Sequence, residues 1–547
     1  MTAAAANGSA PAEGSRAVVW GLLVAAVLFF AVDLVLYYRI DAFLAYGVSY
    51  LLDPERSIGA VLRGLGGHTY YPPLYYAFTG VAGVLLGHDF VGVVFANALF
   101  LPLAAIYLTL LGRRLGMKTY AFLPGVLLLL APGSYLASRE LTIEAPLVLF
   151  VPAFAYHMLA SDGLRARGHV LAAGVWAGLA MLTKWTFPAY ACGVFAFAVA
   201  RMLRANGPQA GDPPARGRWA NLALLIGVAA AVAGWWYAAR MDWATFAASS
   251  RNDPSHPTYS YVREFADYLG HLRRVLAGTR AAPVLAVAAI GLALSRRPLA
   301  FAGAAVLGVL TPLAILAVPV HGETRYALPL VPAGCLVLAM AAAFARWEAA
   351  RLGVAIALVG LTAHGRFAYM ESPEHGLMTA SEAGRIARLL DERLPRGAAG
   401  PLRVAVHPIW RNPHMRCDFL QYHVDRRGAS GRLRLICASG VEYGRYREKL
   451  RAGELAAVIA DCGPADRCME TGTERLDRVV RVLATTGHVN QMTGQVSAKI
   501  TREDVEADWD LLRRDFVPAY ALPFEDGTYT RIWARRGLLA ETRGATP

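Results

Sequence analysis

Four ionisable side chains at the edges of long apolar stretches are the residues of this sequence best suited to chemistry. Asp41 closely follows the first apolar run, and Glu144 lies between two later ones. Lys184 and Arg325 lie near the ends of further runs. An ionisable group at membrane depth is costly, so it is usually pushed to the interface or kept for a function. Together, two acids and two cations could take a proton from a hydroxyl group and bind a phosphate.

Each of these residues also has a structural explanation. Asp41 is either a general base or an exposed loop acid. Glu144 either acts in catalysis or complements the positive end of the helix that begins just after it. Lys184 either binds a phosphate as a point charge or extends its charged end to water. Arg325 either clamps a phosphate with its guanidinium group or pairs with the nearby Glu323.

The composition is that of a membrane protein. Hydrophobic residues make up 56% of the chain and charged residues 17%, with a mean hydropathy of +0.37, which excludes an ordinary soluble enzyme. Several apolar runs reach the roughly 20 residues that a bilayer-spanning helix needs. The net charge of +14 favours contact with anionic membrane lipids or phosphates, and so apolar a chain is not expected to bind nucleic acid.

Hydropathy predicts a polytopic α-helical membrane protein with about eleven transmembrane helices. They are predicted near residues 18–38, 91–112, 118–137, 143–160, 169–188, 189–203, 219–239, 281–295, 299–318, 326–345 and 351–369. The connectors rich in Lys and Arg all lie on one side of the membrane if residues 72–88 do not cross it, but lie in the interface or form a re-entrant segment. The positive-inside rule makes that side cytoplasmic. The four residues above, the loop 240–280 and everything after residue 369 are then expected at the outer face.

We expect three parts along the chain. Residues 1–16 are a disordered cytoplasmic tail, residues 17–370 the transmembrane domain with a first outer loop at 39–90, and residues 371–547 a soluble extracytoplasmic domain. In the last part, predicted strands alternate with predicted helices, which is typical of a small α/β domain. The strands are predicted at 402–406, 433–436, 456–460, 495–500 and 529–534, and the helices at 379–394, 443–450 and 474–484. No glycine-rich phosphate loop opens these helices, so we assign no nucleotide.

Four of the six cysteines lie in this C-terminal part. In an oxidising compartment, an even number of cysteines predicts disulfides. We predict the pairs Cys417–Cys437 and Cys462–Cys468, the second of which encloses the turn-forming sequence Gly-Pro-Ala-Asp-Arg. The spacing is poor for zinc, and free buried thiols are the alternative.

Several motifs occur in a characteristic order over residues 17–345. They are Asp41 after the first helix, Tyr71-Pro-Pro-Leu-Tyr-Tyr76, the acid-containing segment from Arg139 to Pro146, Gly178-Leu-Ala-Met-Leu-Thr-Lys184, and Arg325-Tyr-Ala-Leu-Pro-Leu-Val-Pro332. In order and spacing they resemble the GT-C superfamily of polyprenyl-phosphate-sugar glycosyltransferases. The resemblance is to the branch of the dolichyl-phosphate-mannose-protein mannosyltransferases and aminoarabinose transferase-like enzymes (glycosyltransferase family 39-like).

The resemblance implies a GT-C fold and a reaction. A sugar moves from a polyprenyl-phosphate carrier to a lipid, glycan or protein acceptor at the outer face of the inner (plasma) membrane, with inversion at the anomeric carbon. Asp41 is implied as the catalytic acid of the first outer loop and Glu144 as the second acid. Lys184, Arg325 and Arg139 are implied as contacts to the donor phosphate. No cofactor is certain. A divalent metal stays an open alternative, because some relatives use one and the sequence shows no clear set of ligands.

The sequence departs from the family pattern at two places in the predicted substrate loop. The family often has an acidic pair where this chain has Asp41-Ala42, which puts the support of the base in doubt. It often has His or Lys where this chain has Tyr71, which leaves His68 as a displaced substitute. The predicted substrate-loop residues are His68, Tyr71 and Tyr75. The competing hypotheses are a transporter or flippase for a lipid-linked saccharide and an inactive GT-C scaffold. A transporter predicts repeated halves and charges at the midplane.

Overall fold

A computed structural model of the protein describes much of the membrane-spanning part and the core of the C-terminal part. The described residues are 21, 24, 27, 28, 31, 44–45, 72–85, 96–204, 215–239, 260–318, 324–370, 380–395, 400–407, 420–421, 423–424, 427–429, 431–437, 443–462, 502–523 and 529–538. The chain divides into two compact units. The first comprises residues 1–39, 62–241 and 252–375, and the second residues 40–61, 242–251 and 376–547.

The first unit is helical. Its helices are α1 (Leu74–Leu85), α2 (Phe100–Arg114), α3 (Leu123–Leu130), α4 (Pro132–Arg139), α5 (Leu147–Ala160), α6 (Arg167–Thr183), α7 (Phe187–Arg204), α8 (Ala215–Ala239), α9 (Tyr261–Ala277), α10 (Ala281–Ala293), α11 (Pro298–Ala305), α12 (Thr311–Leu316), α13 (Val331–Ala343) and α14 (Glu348–Met370). Short 3-10 helices cover Lys118–Tyr120, Gly278–Arg280 and Thr324–Leu330, and a π-helical turn covers Val306–Leu310. Every residue of α3 is buried, as are most residues of α13, so these two helices lie in the core.

Six helices of the described part are long and apolar enough to cross a membrane, or seven if one bent pair counts as a span. The six cover Ala96–Arg114, Phe187–Arg204, Gly217–Ala239, Tyr261–Ala293, Pro298–Leu316 and Arg325–Ala343. The chain is therefore a polytopic α-helical membrane protein, as predicted. The count of about eleven spans stays a prediction, because other predicted spans form shorter or bent helices and most of residues 18–38 lie outside the described part.

One part of the topology prediction was wrong. Residues 240–280 were expected to form a loop, but Tyr261–Ala277 is a helix. It continues through a 3-10 turn into α10, and the combined apolar helix covers 33 residues. Tyr268, Leu272 and Val275 bury one face of α9, whereas charged side chains occupy the other. A helix with a single apolar face has low average hydropathy, so a hydropathy profile misses it.

The predicted span 118–137 is broken between α3 and α4, whose axes differ by 61°. The break leaves carbonyl groups without their helical donors, and lipid cannot supply replacements. The hydroxyl group of Ser134 donates to the carbonyl group of Leu128. The buried Arg366 on α14 donates from Nη1 to the carbonyl oxygens of Leu129, at 2.9 Å, and Ala131, at 3.5 Å. These bonds stabilise the bend, and α4 leads into the turn that carries Glu144.

The second unit contains a five-stranded mixed sheet. Two-residue strands at Leu44–Ala45 (β1) and Glu140–Leu141 (β2) precede it in the chain, and its own strands are β3 (Leu402–His407), β4 (Leu433–Cys437), β5 (Leu455–Cys462), β6 (Phe516–Pro523) and β7 (Tyr529–Arg535). The strand order is β4-β3-β5-β7-β6. Strands β4, β3 and β5 run parallel, and β7 is antiparallel to β5 and β6. The helices of the unit are α15 (Ala380–Arg393), α16 (Tyr443–Arg451) and α17 (Arg502–Asp515).

Four of the predicted strands are present as β3, β4, β5 and β7. The sequence did not predict β6 or α17. Strand β6 contains Pro518 and ends at Pro523, and proline is rare inside strands because it cannot donate to the hydrogen-bond ladder. Among the described strands β6 pairs with β7 alone, at the edge of the sheet, where proline is tolerated. The strand predicted at 495–500 and the helix predicted at 474–484 lie outside the described residues.

Candidate functional site

The candidate site is built around the fully buried carboxylate of Glu144. Glu144 lies in the turn between α4 and α5, which the bend after α3 brings into place. Its Oε1 binds the ammonium group of Lys184, and its Oε2 accepts a hydrogen bond from the hydroxyl group of Thr142. Nε of Arg325 lies 3.7 Å from the same Oε1. One carboxylate thus contacts two cations that come from distant parts of the chain.

Lys184 supplies the first cation from the end of α6. Its backbone is extended, with φ −155° and ψ 134°, and this ends the helix at Thr183. The side chain is fully buried, so its charged end does not reach water. The ammonium nitrogen lies 4.1 Å from the ring centroid of Tyr326. Contacts with a carboxylate and with an aromatic face are the means by which an apolar interior retains a lysine charge.

Arg325 supplies the second cation from the 3-10 helix Thr324–Leu330. Its side chain is 17% exposed, in contrast to the buried Lys184. Its guanidinium carbon lies 5.3 Å from the ring centroid of Tyr326, and the hydroxyl group of Tyr190 on α7 donates to the Tyr326 carbonyl group at 2.9 Å. Tyr326 thus contacts both cations and is itself held by α7. Arg325 pairs with Glu144, whereas Glu323 lies outside the described residues.

The surroundings of Glu144 keep it ionised. Burial alone would raise the pKa of the carboxyl group, but the charges of Lys184 and Arg325 and the hydrogen bonds from Lys184 and Thr142 outweigh burial. The pKa therefore lies below its ordinary value. A buried carboxylate held by two cations is poorly placed to accept a proton from a substrate. This geometry favours a role for Glu144 in positioning the cations.

The other predicted site residues are less completely described. Tyr75 on α1 is 2% exposed, and its hydroxyl oxygen accepts a hydrogen bond from the Asn97 amide group at 2.9 Å. Arg139 ends α4, three residues before Thr142, and its side chain is not described. The predicted substrate and catalytic residues of the first outer loop lie outside the described residues, and their roles stay predictions: Asp41, His68 and Tyr71.

Sequence reasoning missed three residues of the cluster. Tyr326 directly follows Arg325 in the motif, and a cation–aromatic contact could have been anticipated from that pairing. Thr142 lies two residues before Glu144, where a hydroxyl group can reach the carboxylate. Tyr190 carries no comparable signal, because its partner Tyr326 is 136 residues away in the sequence.

The described part of the chain contains no group of three or more His, Cys, Asp or Glu side chains that could hold a metal ion. The Glu144 carboxylate fits a divalent metal poorly, because two cationic side chains already contact it. Cys437 lies on β4 and Cys462 on β5. Their predicted partners Cys417 and Cys468 lie outside the described residues, so both disulfides stay predictions.

Comparisons with known proteins agree with this architecture. Residues 71–237, which include Glu144 and Lys184, match the family model of dolichyl-phosphate-mannose-protein mannosyltransferases. No curated protein matches the sequence.

Solved structures show the likeness over more of the chain. ArnT from Cupriavidus metallidurans in the apo state has a TM-score of 0.51 at 15% identity, covering 81% of this chain and 93% of that one. The same protein bound to undecaprenyl phosphate has a TM-score of 0.52 at 13% identity, covering 80% and 93%. The arabinofuranosyltransferase AftD from Mycobacteria has 0.43 at 17% identity, covering 83% and 37%. The predicted resemblance to the GT-C superfamily is thus confirmed, since the chain shares the fold of ArnT and residues 71–237 match the mannosyltransferase family.

Proposed function

We propose that the chain is a membrane glycosyltransferase that uses a sugar carried on a polyprenyl phosphate. It transfers the sugar to a lipid, glycan or protein acceptor at the outer face of the cytoplasmic membrane. The family match over residues 71–237 and the shared fold support this function. The observation that carries it is the partly exposed guanidinium group of Arg325 beside the buried pair of Glu144 and Lys184.

Each member of the cluster has a separate part in binding the carrier phosphate. Arg325 is accessible, and its planar guanidinium group can bind two phosphate oxygens at once. Lys184 is buried, so it adds positive potential without touching the ligand. Glu144 and Tyr326 hold the two cations in place. Cations fixed at the position of a departing phosphate stabilise the negative charge that develops there.

The proposed reaction also needs a base, and the resemblance assigns this role to Asp41. The acceptor hydroxyl oxygen attacks the anomeric carbon, and its proton passes to the Asp41 carboxylate. The bond between the anomeric carbon and the phosphate oxygen breaks, and the carrier phosphate leaves with the electron pair. Attack opposite the leaving group inverts the anomeric carbon. Arg139 is the proposed further phosphate contact, and His68 and Tyr71 the proposed substrate-loop residues.

The test of this function is the substitution Asp41→Asn in the purified full chain. We expect transfer from a panel of polyprenyl-phosphate-linked hexoses and pentoses to fall by about 10²- to 10⁴-fold, because the positioned base is lost. Binding of undecaprenyl phosphate should be unchanged. Asp53→Asn, in the same predicted loop, is the matched control and should transfer at the wild-type rate. Near wild-type transfer by Asp41→Asn would show that another residue is the base.

The proposed orientation can be tested separately. A topology reporter fused after Leu115 should give a cytoplasmic signal. The same reporter fused after Tyr369 should give an extracytoplasmic signal. This result would place the C-terminal unit at the outer face, where the acceptor arrives. A cytoplasmic signal after Tyr369 would reject the proposed side of the reaction.

A further inference from the structure

The first unit also contains a groove that shares no residue with the Glu144 cluster. This groove of about 550 Å³ runs between α2 and α3, and Val27 of the first apolar run also lines it. Along most of its length the walls are apolar and include Pro102, Ile106, Phe122 and Leu129. Ile106 is 55% exposed, so the groove is open along its side. Its volume is within the range of ligand-binding sites, roughly 300–1,000 Å³.

The groove has the depth of one membrane leaflet. Pro102 and Arg113 line its two ends on α2, eleven residues apart (102 to 113). At about 1.5 Å per residue this distance is about 16 Å, which is about half of the roughly 30 Å hydrocarbon core of a bilayer. Arg113, Lys118 and Thr119 lie at the same end of the groove. An apolar groove of one-leaflet depth thus ends at two cations.

These two cations are available to a ligand. Arg113 and Lys118 are exposed, and among the described residues neither forms an ion pair with a carboxylate. A third cation borders the same end, because Nη1 of Arg297 donates to the carbonyl group of Leu115 at 3.3 Å. Three cationic side chains therefore lie at or beside this end of the groove.

The backbone maintains the shape of the groove. Lys118 has φ 51°, a left-handed backbone conformation that residues other than glycine and asparagine rarely adopt. Strain of this kind concentrates at ligand-binding positions, where the side chain has a use. Below the groove, a Cβ atom at Gly125 would lie 2.9 Å from the carbonyl oxygen of Ala105. Helices α2 and α3 are therefore in close contact, which fixes the floor of the groove.

We propose that this groove binds one anionic glycerophospholipid, with an acyl chain between α2 and α3 and the phosphate on Arg113 and Lys118. The apolar walls match the chain, and the two cations match the phosphate charge. The loop charges predict that this end faces the cytoplasm, where anionic lipids attract basic residues. The proposed sugar transfer uses the opposite leaflet, so the carrier of the sugar is not the occupant. None of the groove's residues belongs to the Glu144 cluster, and only the exclusion of the sugar carrier as occupant rests on the proposed function.

Native mass spectrometry of the purified full chain in micelles tests the headgroup contact. Titration with phosphatidylglycerol should show one tightly bound molecule, at least 10-fold preferred over phosphatidylcholine. The double variant Arg113→Gln and Lys118→Gln should bind phosphatidylglycerol about 10- to 30-fold more weakly, since each cation near an anionic lipid contributes about a factor of ten or less. Arg114→Gln, exposed at the same end but outside the groove, should bind like the wild type.

A second pair of variants tests the chain contact. Ile106→Trp fills the groove and should abolish the bound phosphatidylglycerol, whereas Leu103→Trp, exposed on the same helix outside the groove, should not. All the substituted residues are exposed, so the variants should fold. Inorganic phosphate alone should not raise the unfolding temperature, because it lacks the chain. Unchanged phosphatidylglycerol binding in the double variant, or its displacement by an equimolar amount of undecaprenyl phosphate, would overturn the proposal.

Discussion

Each of the two units contains a buried carboxylate that contacts an arginine, but the numbers of acidic and basic partners differ between them. In the first unit, Glu144 contacts two cations, Lys184 and Arg325. In the second unit, Arg447 contacts two carboxylates, Asp508 at 3.0 Å and Asp504 at 2.7 Å. Glu144 and Asp508 are both fully buried. Both places bury a carboxylate, so the two clusters differ, among the described residues, in whether a second cation or a second carboxylate joins the pair.

The cluster of the second unit joins two helices. Arg447 lies on α16, and both of its carboxylate partners lie on α17. Burial by itself would lower the pKa of the Arg447 guanidinium, but Asp508 and Asp504 raise the pKa above its ordinary value. Such a bridge holds neighbouring helices together and offers no cation to a phosphate. The cluster of the first unit draws on a turn, a helix end and a 3-10 helix. Among the residues that the structure describes, it joins two cations to one carboxylate.

The largest effect is expected for Glu144→Gln. The substitution leaves the buried Lys184 without its carboxylate, and breaking a buried pair typically costs about 3–5 kcal/mol. We therefore expect a large loss of the free energy of unfolding, together with weaker binding of undecaprenyl phosphate because Arg325 loses its support. Unfolding in micelles and a lipid-binding titration measure the two effects. Glu348→Gln, at a side chain that is 34% exposed, is the control and should cost less than about 1 kcal/mol.

Asp508→Asn should have a smaller effect, confined to stability. Arg447 keeps Asp504 as a partner, so we expect a loss of about 1.5–3 kcal/mol, the range for a hydrogen bond to a charged group. The rate of sugar transfer per folded molecule should not change. Asp510→Asn, 73% exposed on the same helix, should leave both quantities unchanged. Slower transfer by folded Asp508→Asn would contradict the assignment of a purely structural role.

Arg325→Lys tests whether the Glu144 cluster binds a phosphate, in contrast to the structural Arg447 cluster. The substitution keeps the positive charge but removes the planar group that can bind two phosphate oxygens. We expect the Kd for undecaprenyl phosphate to rise about 10-fold, with less than about 1 kcal/mol change in the free energy of unfolding. The exposed Arg280→Lys serves as the control. If Arg325→Lys lost stability but bound the lipid normally, the cluster of the first unit would be structural, like that of the second.

The smallest expected effect concerns pH. The pKa of Glu144 lies below its ordinary value of 4.5, so the stabilisation it contributes is fully present above pH 4.5. That stabilisation is lost only as the pH falls below 4.5 through the lower pKa of the folded state. The difference in unfolding free energy between the wild type and Glu144→Gln should therefore be constant from about pH 6 to 8. An increase in that difference as the pH falls from 8 to 6 would show that the folded-state pKa is raised above its ordinary value.

The sequence predicted elements better than it predicted contacts. Apolar runs located most helices of the first unit, and alternating short runs located β3, β4, β5 and β7. Helix α9 was missed because its charged face lowers its hydropathy, and β6 because of its prolines. These failures have a common physical reason: average composition says little about an element that is apolar on one face or paired on one edge.

The candidate site could be predicted only residue by residue. Glu144, Lys184 and Arg325 were each singled out by local context and expected at one face. Their direct pairing was not predicted, because Lys184 lies 40 residues from Glu144 and Arg325 is still farther along the chain. Proximity in sequence favoured Glu323 as the partner of Arg325. Which carboxylate it meets depends on helix packing, which a single sequence does not reveal.

The break between α3 and α4 has a consequence for how the protein is made. The carbonyl groups of Leu129 and Ala131 receive hydrogen bonds from Arg366, which is 237 and 235 residues farther along the chain. Translation proceeds from the N-terminus at about 5–20 residues per second, so these carbonyl groups enter the membrane tens of seconds before their donor exists. The segment that leads to Glu144 therefore lacks these two hydrogen bonds until α14 is inserted. Truncation before Arg366 would leave this segment without the arginine donor that stabilises its bend.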